Sequence, residues 1–353
     1  MARRIRKSLW PRSLQRALRA LTRATWRAGT RAATQATART AKVLTTPARP
    51  RRTARAGAGD WLAGVAIGPT GPRRYRLYRA PGARAGVLRP LLVMLHGCDQ
   101  DAAGFARSTQ MQRVAAREGF LVLCPEQERL ANAHRCWNWF ETRSGRAQAE
   151  AASILAAIDQ VCALHGADPA RVAIAGLSAG ASMAALVALH HPGRFRALAM
   201  HSGVAPGAAH SAAGAVGAMR GRRHPDPLPA HTPALPPLLV IQGSADHVVD
   251  PGNGRTTAQW WADAAGATAG PPRSVQRGAR RAATLTDFRR GARLVATLCE
   301  VAGLGHAWSG GAIDQPYSDP QGPDAARMIW AFAARCFAQA SAGPPGATKR
   351  PTA

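Results

Sequence analysis

The chain of 353 residues carries 47 Lys+Arg against 19 Asp+Glu, a formal net charge of +28, and 46% of it is hydrophobic. That length and apolar content support one large or two small folded domains and exclude a wholly disordered chain. No run of about 18 apolar residues occurs, which excludes a transmembrane helix, and the six cysteines lack the paired short spacings of a zinc site.

The charge is concentrated at the start. Residues 1–56 hold 16 Lys/Arg and no acid. Trp10, Leu14, Leu18 and Leu21 recur at helical spacing with Arg12, Arg16, Arg19 and Arg23 between them. Residues 1–46 therefore read as a basic amphipathic helix running into a looser Ala/Thr/Arg stretch, or as a disordered tail. The segment has no continuous apolar core or cleavage site of a secretory signal. As a partner it suits a granule or an anionic membrane surface, with nucleic acid ranked behind them. A Pro/Arg/Gly linker completes an extension over residues 1–60.

From Trp61 the texture changes. A β-hairpin is predicted at 61–79. After it come short apolar runs at Leu91–Leu95, Phe120–Cys124, Val172–Ala175, Ala197–Met200 and Leu238–Ile241. Between and beyond them lie helical patterns near 108–118, 147–165, 181–190, 255–265 and 323–339. Strands and helices alternating at these lengths predict an α/β fold with a mostly parallel central sheet flanked by helices. Residues 204–236 and 266–293 break the rhythm and read as surface insertions or partial lids. The catalytic domain is placed at 61–340 and a disordered C-terminal tail at 341–353.

The sharpest motif is Gly176-Leu177-Ser178-Ala179-Gly180, between the strand-like RVAIA and an apolar helix. G-x-S-x-G in that context is the nucleophile elbow of an α/β-hydrolase: the serine sits in a strained turn, and the flanking glycines let strand and helix pass closely. A serine hydroxyl needs a base to take its proton, and in this fold the acid and the histidine follow the serine in the chain. Asp246, directly after the LLVIQG run, is the candidate acid, with Asp250 as its rival. His306, set among glycines after LVATLCEV, is the candidate base. The oxyanion donors are expected to be the backbone N–H groups of Ala179 and of Cys98, the latter in the turn that ends LLVMLHG.

The segments LLVMLHGCDQDAAGFA, FLVLCPEQ, RCWNWF, DPARVAIAGLSAGASMAALVALHHPGRFRALAMHSG, QGSADHVVDPGNG and GLGHAWSGG resemble the polyhydroxybutyrate depolymerase-type esterases, which are related to feruloyl and acetylxylan esterases. The resemblance implies Ser178, Asp246 and His306 as a catalytic triad, oxyanion donors at Cys98 and Ala179, and no metal or organic cofactor. It implies ester hydrolysis through an acyl-enzyme on hydroxyalkanoate polyester or oligomers. A feruloyl or acetylxylan esterase is the alternative, as is a non-catalytic surface-binding protein. An extracellular location follows by resemblance, with a cytoplasmic, granule-associated one as the alternative. Trp139 and Trp308 are candidate walls of an acyl pocket, or else core residues. Cys98 and Cys136 are candidate disulfide partners with connectivity left open. Cys124, Cys162, Cys299 and Cys336 sit in apolar contexts that suit free thiols.

Overall fold

The computed structural model describes residues 59–82, 86–228 and 234–341. The basic N-terminal segment and the C-terminal tail lie outside these residues. In chain order the elements begin with β1 (Asp60–Gly68), β2 (Gly71–Arg79), β3 (Arg89–Leu95), α1 (Ala102–Thr109), α2 (Met111–Glu118), β4 (Leu121–Pro125) and α3 (Arg146–His165). Next come β5 (Ala167–Leu177), α4 (Ala179–His190), β6 (Ala197–His201), α5 (Ala212–Met219), β7 (Leu238–Gly243) and α6 (Gly252–Asp263). The short strands β8 (Thr268–Ala269) and β9 (Arg273–Val275) lead into β10 (Ala283–Arg290), β11 (Arg293–Val301), β12 (Trp308–Ser309), β13 (Ser318–Asp319) and α7 (Ala325–Ser341).

The hairpin β1–β2 closes across Gly68 and Gly71 and pairs antiparallel with β4. From β4 onward the sheet is parallel in the order β4-β3-β5-β6-β7-β11. β10 then pairs antiparallel with β11 and carries β8 and β9 at its far edge. Successive side chains of a strand point to opposite faces. Along β3, Leu91, Val93 and Leu95 enter one apolar layer with Ile154, Met183 and Leu186. Leu92 and Met94 enter the other, with Phe105, Val114 and Phe332. Both faces are covered by helices, which is why these strands read as unbroken apolar runs. Helix α4 is buried from Ala179 to Ala188, as its continuous apolar sequence demands.

Two expectations change. The helix near 108–118 is two helices, broken at Gln110, whose φ of 53° cannot continue an α-helix. The two supposed surface insertions are structural in part. Val204, Ala205, Ala208, Ala209, Ala215 and Ala218 are buried, because small side chains let that loop and α5 pack closely. Residues 266–293 supply β8, β9 and β10. Their alternation is masked by Thr and Arg on the exposed face of β10.

Candidate active site

Ser178, Asp246 and His306 follow the carboxyl ends of β5, β7 and β11, three parallel strands of one sheet. Ser178 joins β5 to α4 with φ 57° and ψ −123°, a backbone region that a non-glycine residue occupies only when its surroundings force it. The forcing is visible at the flanking glycines. A Cβ on Gly176 would lie 2.3 Å from the backbone of Gly180, and one on Gly180 would lie 2.2 Å from the Leu95 carbonyl oxygen. Any other residue at either position would push β5, α4 and β3 apart. The Ser178 N–H donates to the His201 carbonyl at 2.9 Å, fixing the elbow to the end of β6. Ala179 opens α4, where the first N–H groups have no acceptor within the helix.

The acid and histidine loops are bound to each other by main-chain contacts. Ser244 N–H donates to Val301 O and Ala245 N–H to Leu304 O, both at 3.0 Å, and Gly303 N–H donates to Ser244 Oγ at 2.9 Å. This brings His306 Nδ1 to 2.8 Å from Asp246 Oδ2. A carboxylate only accepts, so Nδ1 carries the proton and Nε2 of the neutral ring is left with its lone pair. The Asp246 side chain is fully buried. Its other oxygen accepts the N–H groups of Val248 and Val249, each at 2.9 Å, and Gln242 Nε2 reaches Oδ2 at 3.2 Å. Burial alone would raise the pKa of this carboxyl. The His306 contact and the Val249 and Val248 N–H groups outweigh it and hold the pKa below the ordinary value. The rival Asp250 is spent on a turn: its Oδ1 accepts Gly252 N–H at 2.8 Å.

The loop after β3 lies against the serine. A Cβ on Gly97 would be 3.6 Å from Ser178 Cβ. Beneath this loop is a buried polar network that sequence reasoning missed. His96 Nδ1–H donates to Gly97 O at 2.8 Å, while Nε2 accepts Gln127 N–H at 3.0 Å. Trp137 Nε1–H donates to His96 O at 3.1 Å. Gln127 also donates to Cys136 O at 3.2 Å and accepts from the buried Arg73 guanidinium. Cys98 and Cys136 form a disulfide, closing the same corner covalently. Among the other cysteines, burial pushes the Cys124 and Cys299 thiols up to about 12 and Cys336 up to about 11, so they stay protonated. The only advance signal for the network was the proximity of polar Gln127 and Arg73 to apolar strands.

His201 was missed as well. It is fully buried, accepts Ser309 N–H on Nε2 at 3.1 Å and donates from Nδ1 to Ser202 Oγ. Burial, and then the charge of nearby His306, push its pKa down to about 3. Burial likewise takes His96 to about 4. Both are neutral structural imidazoles. Of the two places open to Trp308, a pocket wall or the core, it takes the core, stacked on His201 with centroids 5.3 Å apart and edge-on to Phe105. Its indole has no free surface. Trp139 is 5% exposed and packs edge-on to Phe140. Among the described residues no cluster of three or more His, Cys, Asp or Glu is placed to hold a metal ion, and no helix is long and apolar enough to cross a membrane.

Comparison with known proteins bears on this arrangement. A family profile described as Esterase PHB depolymerase matches residues 73–272. Poly(3-hydroxyalkanoate) depolymerase C of Paucimonas lemoignei is 31% identical over 207 residues, 54% of this chain and 48% of that protein. Feruloyl esterase B of Neurospora crassa is 26% identical over 252 residues, 67% of this chain and 84% of that protein. The chain thus spans about half the length of the first relative. Acetyl xylan esterase from Aspergillus awamori superposes with a TM-score of 0.60 at 18% identity, covering 70% of this chain and 94% of that structure. With an α/β-hydrolase sheet, a serine in the elbow, and a profile match that covers more than half of its residues, the chain belongs to the PHB depolymerase esterase family.

Proposed function

We propose that the protein is a serine-dependent carboxylic ester hydrolase working through an acyl-enzyme, with hydroxyalkanoate polyester or its oligomers as substrate. The observation that carries this reading is the buried Asp246–His306 hydrogen bond at the same strand ends as the strained Ser178 elbow. In the reaction Ser178 Oγ attacks the ester carbonyl and passes its proton to His306 Nε2. The carbonyl oxygen, now an anion, is held by the N–H groups of Ala179 and Cys98. His306 then gives the proton to the leaving alcohol oxygen as the C–O bond breaks. A water molecule repeats the sequence on the acyl-enzyme, its proton going to Nε2 and then back to Ser178 Oγ, and the acid is released. Asp246 keeps the imidazole in the Nδ1–H tautomer and stabilises the imidazolium. The chemistry calls for no metal or organic cofactor.

The polyester preference is supported by the depolymerase relative. The feruloyl and acetylxylan esterases among the relatives favour a second reading, an esterase for feruloyl or acetyl groups on polysaccharide. Side-by-side product analysis on polyhydroxybutyrate, feruloylated arabinoxylan and acetylated xylan decides between them. The Ser178 mechanism fails if p-nitrophenyl butyrate is turned over equally by the wild type and Ser178→Ala. The Cys98–Cys136 disulfide supports action outside the reducing cytosol.

A further inference from the structure

Beside the acid loop opens a cleft of about 290 Å³ whose chemistry the ester-cleaving groups do not explain. Its walls include Arg220 and Arg222 from the turn after α5, and Ser244, Asp246, His247 and Asp250 from the loop after β7. The two arginines are exposed, and among the described residues neither guanidinium has a hydrogen-bond or ion-pair partner. The turn that carries them is nonetheless fixed in place. Asp250 N–H donates to Met219 O at 2.8 Å and Asn253 Nδ2 to the same oxygen at 3.2 Å. Arg222 N–H closes the turn onto Gly217 O at 2.9 Å. Of the two carboxylates of the cleft, Asp246 is buried and engaged by His306 and two backbone N–H groups, while Asp250 is exposed and accepts Gly252 N–H, so the two guanidiniums outnumber the one exposed carboxylate. Two free guanidiniums on a pinned turn, next to the loop that orients the base, make a seat for an anion brought by the substrate.

Resting on the ester-hydrolase reading, we propose that Arg220 and Arg222 form a subsite for a carboxylate, so that the enzyme prefers esters ending in a free acid. Linear hydroxyalkanoate oligomers are such esters, since every chain has one carboxylate end. Arginine suits this task because its planar fork meets both carboxylate oxygens. Placing that end beside the acid loop directs a neighbouring internal ester towards Ser178, favouring attack near chain ends over attack in the middle of a polymer.

The test compares the linear dimer of 3-hydroxybutyrate, as the free acid, with its methyl ester. Cleavage of the internal ester is followed in the wild type and in Arg220→Ala/Arg222→Ala. The ratio of kcat/KM for acid over methyl ester should fall about tenfold in the double variant, the scale of one charge-assisted contact in a partly open site. In the wild type the ratio should shrink with added salt, because the pair of charges is screened. Calorimetric binding of the free-acid dimer to Ser178→Ala, with and without the two arginine substitutions, reads the subsite independently of turnover. Tighter binding with the arginines present supports the subsite even if neither dimer is cleaved, an outcome that would count against the ester-hydrolase reading alone. An unchanged ratio, or equal binding without the arginines, overturns the subsite and leaves that reading intact.

Discussion

The two sides of Ser178 are built in different ways. On one side, the loop that follows β3 rests on buried side chains and a covalent bond: His96, Gln127, Arg73, Trp137 and the Cys98–Cys136 disulfide. On the other, the Asp246 and His306 loops are held mainly by backbone hydrogen bonds and one carboxylate, and they border an open, cationic cleft. The difference follows from what each side has to hold. In the proposed mechanism a backbone donor such as Cys98 N–H has no side chain to aim it, so the whole loop must be immobilised from below. Asp246 and His306 would act through their side chains, which one short hydrogen bond and two backbone N–H groups orient. Damage on the first side should therefore cost stability and activity together, and damage on the second should cost activity first.

The largest effects test the second side. Ser178→Ala or His306→Ala should lower kcat by several orders of magnitude with the fold intact, because such residues act as one unit. Asp246→Asn should lower kcat by about 10⁴-fold through loss of the Nδ1–H tautomer. Asp250→Asn should change it little, and collapse of Asp250→Asn with a normal Asp246→Asn in steady-state kinetics would reverse the assignment of the acid.

On the first side, replacing both Cys98 and Cys136 by serine opens a loop closed over a separation of 38 residues. The expected loss is about 4 kcal/mol in denaturant unfolding, together with a fall in kcat from the loosened donor. A variant that loses stability and keeps its full kcat would detach the disulfide from the oxyanion corner. The two tryptophans sharpen the same contrast. Trp308→Ala should cost about 3–5 kcal/mol of stability and affect all esters alike, as for a fully buried side chain. Trp139→Ala should penalise bulky esters more than an acetate ester if it borders the acyl pocket, and kcat/KM across an ester series reads the difference.

A further effect is a pH dependence of stability. His96 and His201 fold with pKa values of about 4 and about 3, against an ordinary 6.5. Between those limits the unfolded chain binds more protons, so stability is full above pH 6.5 and falls as the pH drops towards 4, by about 3 kcal/mol for His96 alone. Asp246, with its pKa lowered below 3.8, adds a further loss only as the pH falls below its unfolded value. Urea unfolding at pH 7 and pH 5 measures this. Equal stabilities at the two values would mean that neither imidazole is neutral and buried as described.

Much of this was legible in the chain itself. The parallel strands announced themselves because both faces of a helix-covered sheet are apolar, and α4 did so because it is apolar all round. The elbow was legible because a strained serine between close-packed backbones admits only glycine on either side, so Gly176 and Gly180 are chemical necessities written locally. The candidates Asp246 and His306 were legible from their places after strand-like runs. Tertiary structure alone set Asp246 against His306, turned Trp308 into the core, joined Cys98 to Cys136, and gathered Arg73, His96 and Gln127 beneath one loop. Each of these depends on contacts between residues far apart in the chain, and burial or hydrogen bonding across such distances has no period or spacing that a linear pattern can carry. The alanine-rich stretch at 204–220 and the strands at 266–293 were hidden for the same reason: their neighbours, not their composition, make them part of the fold.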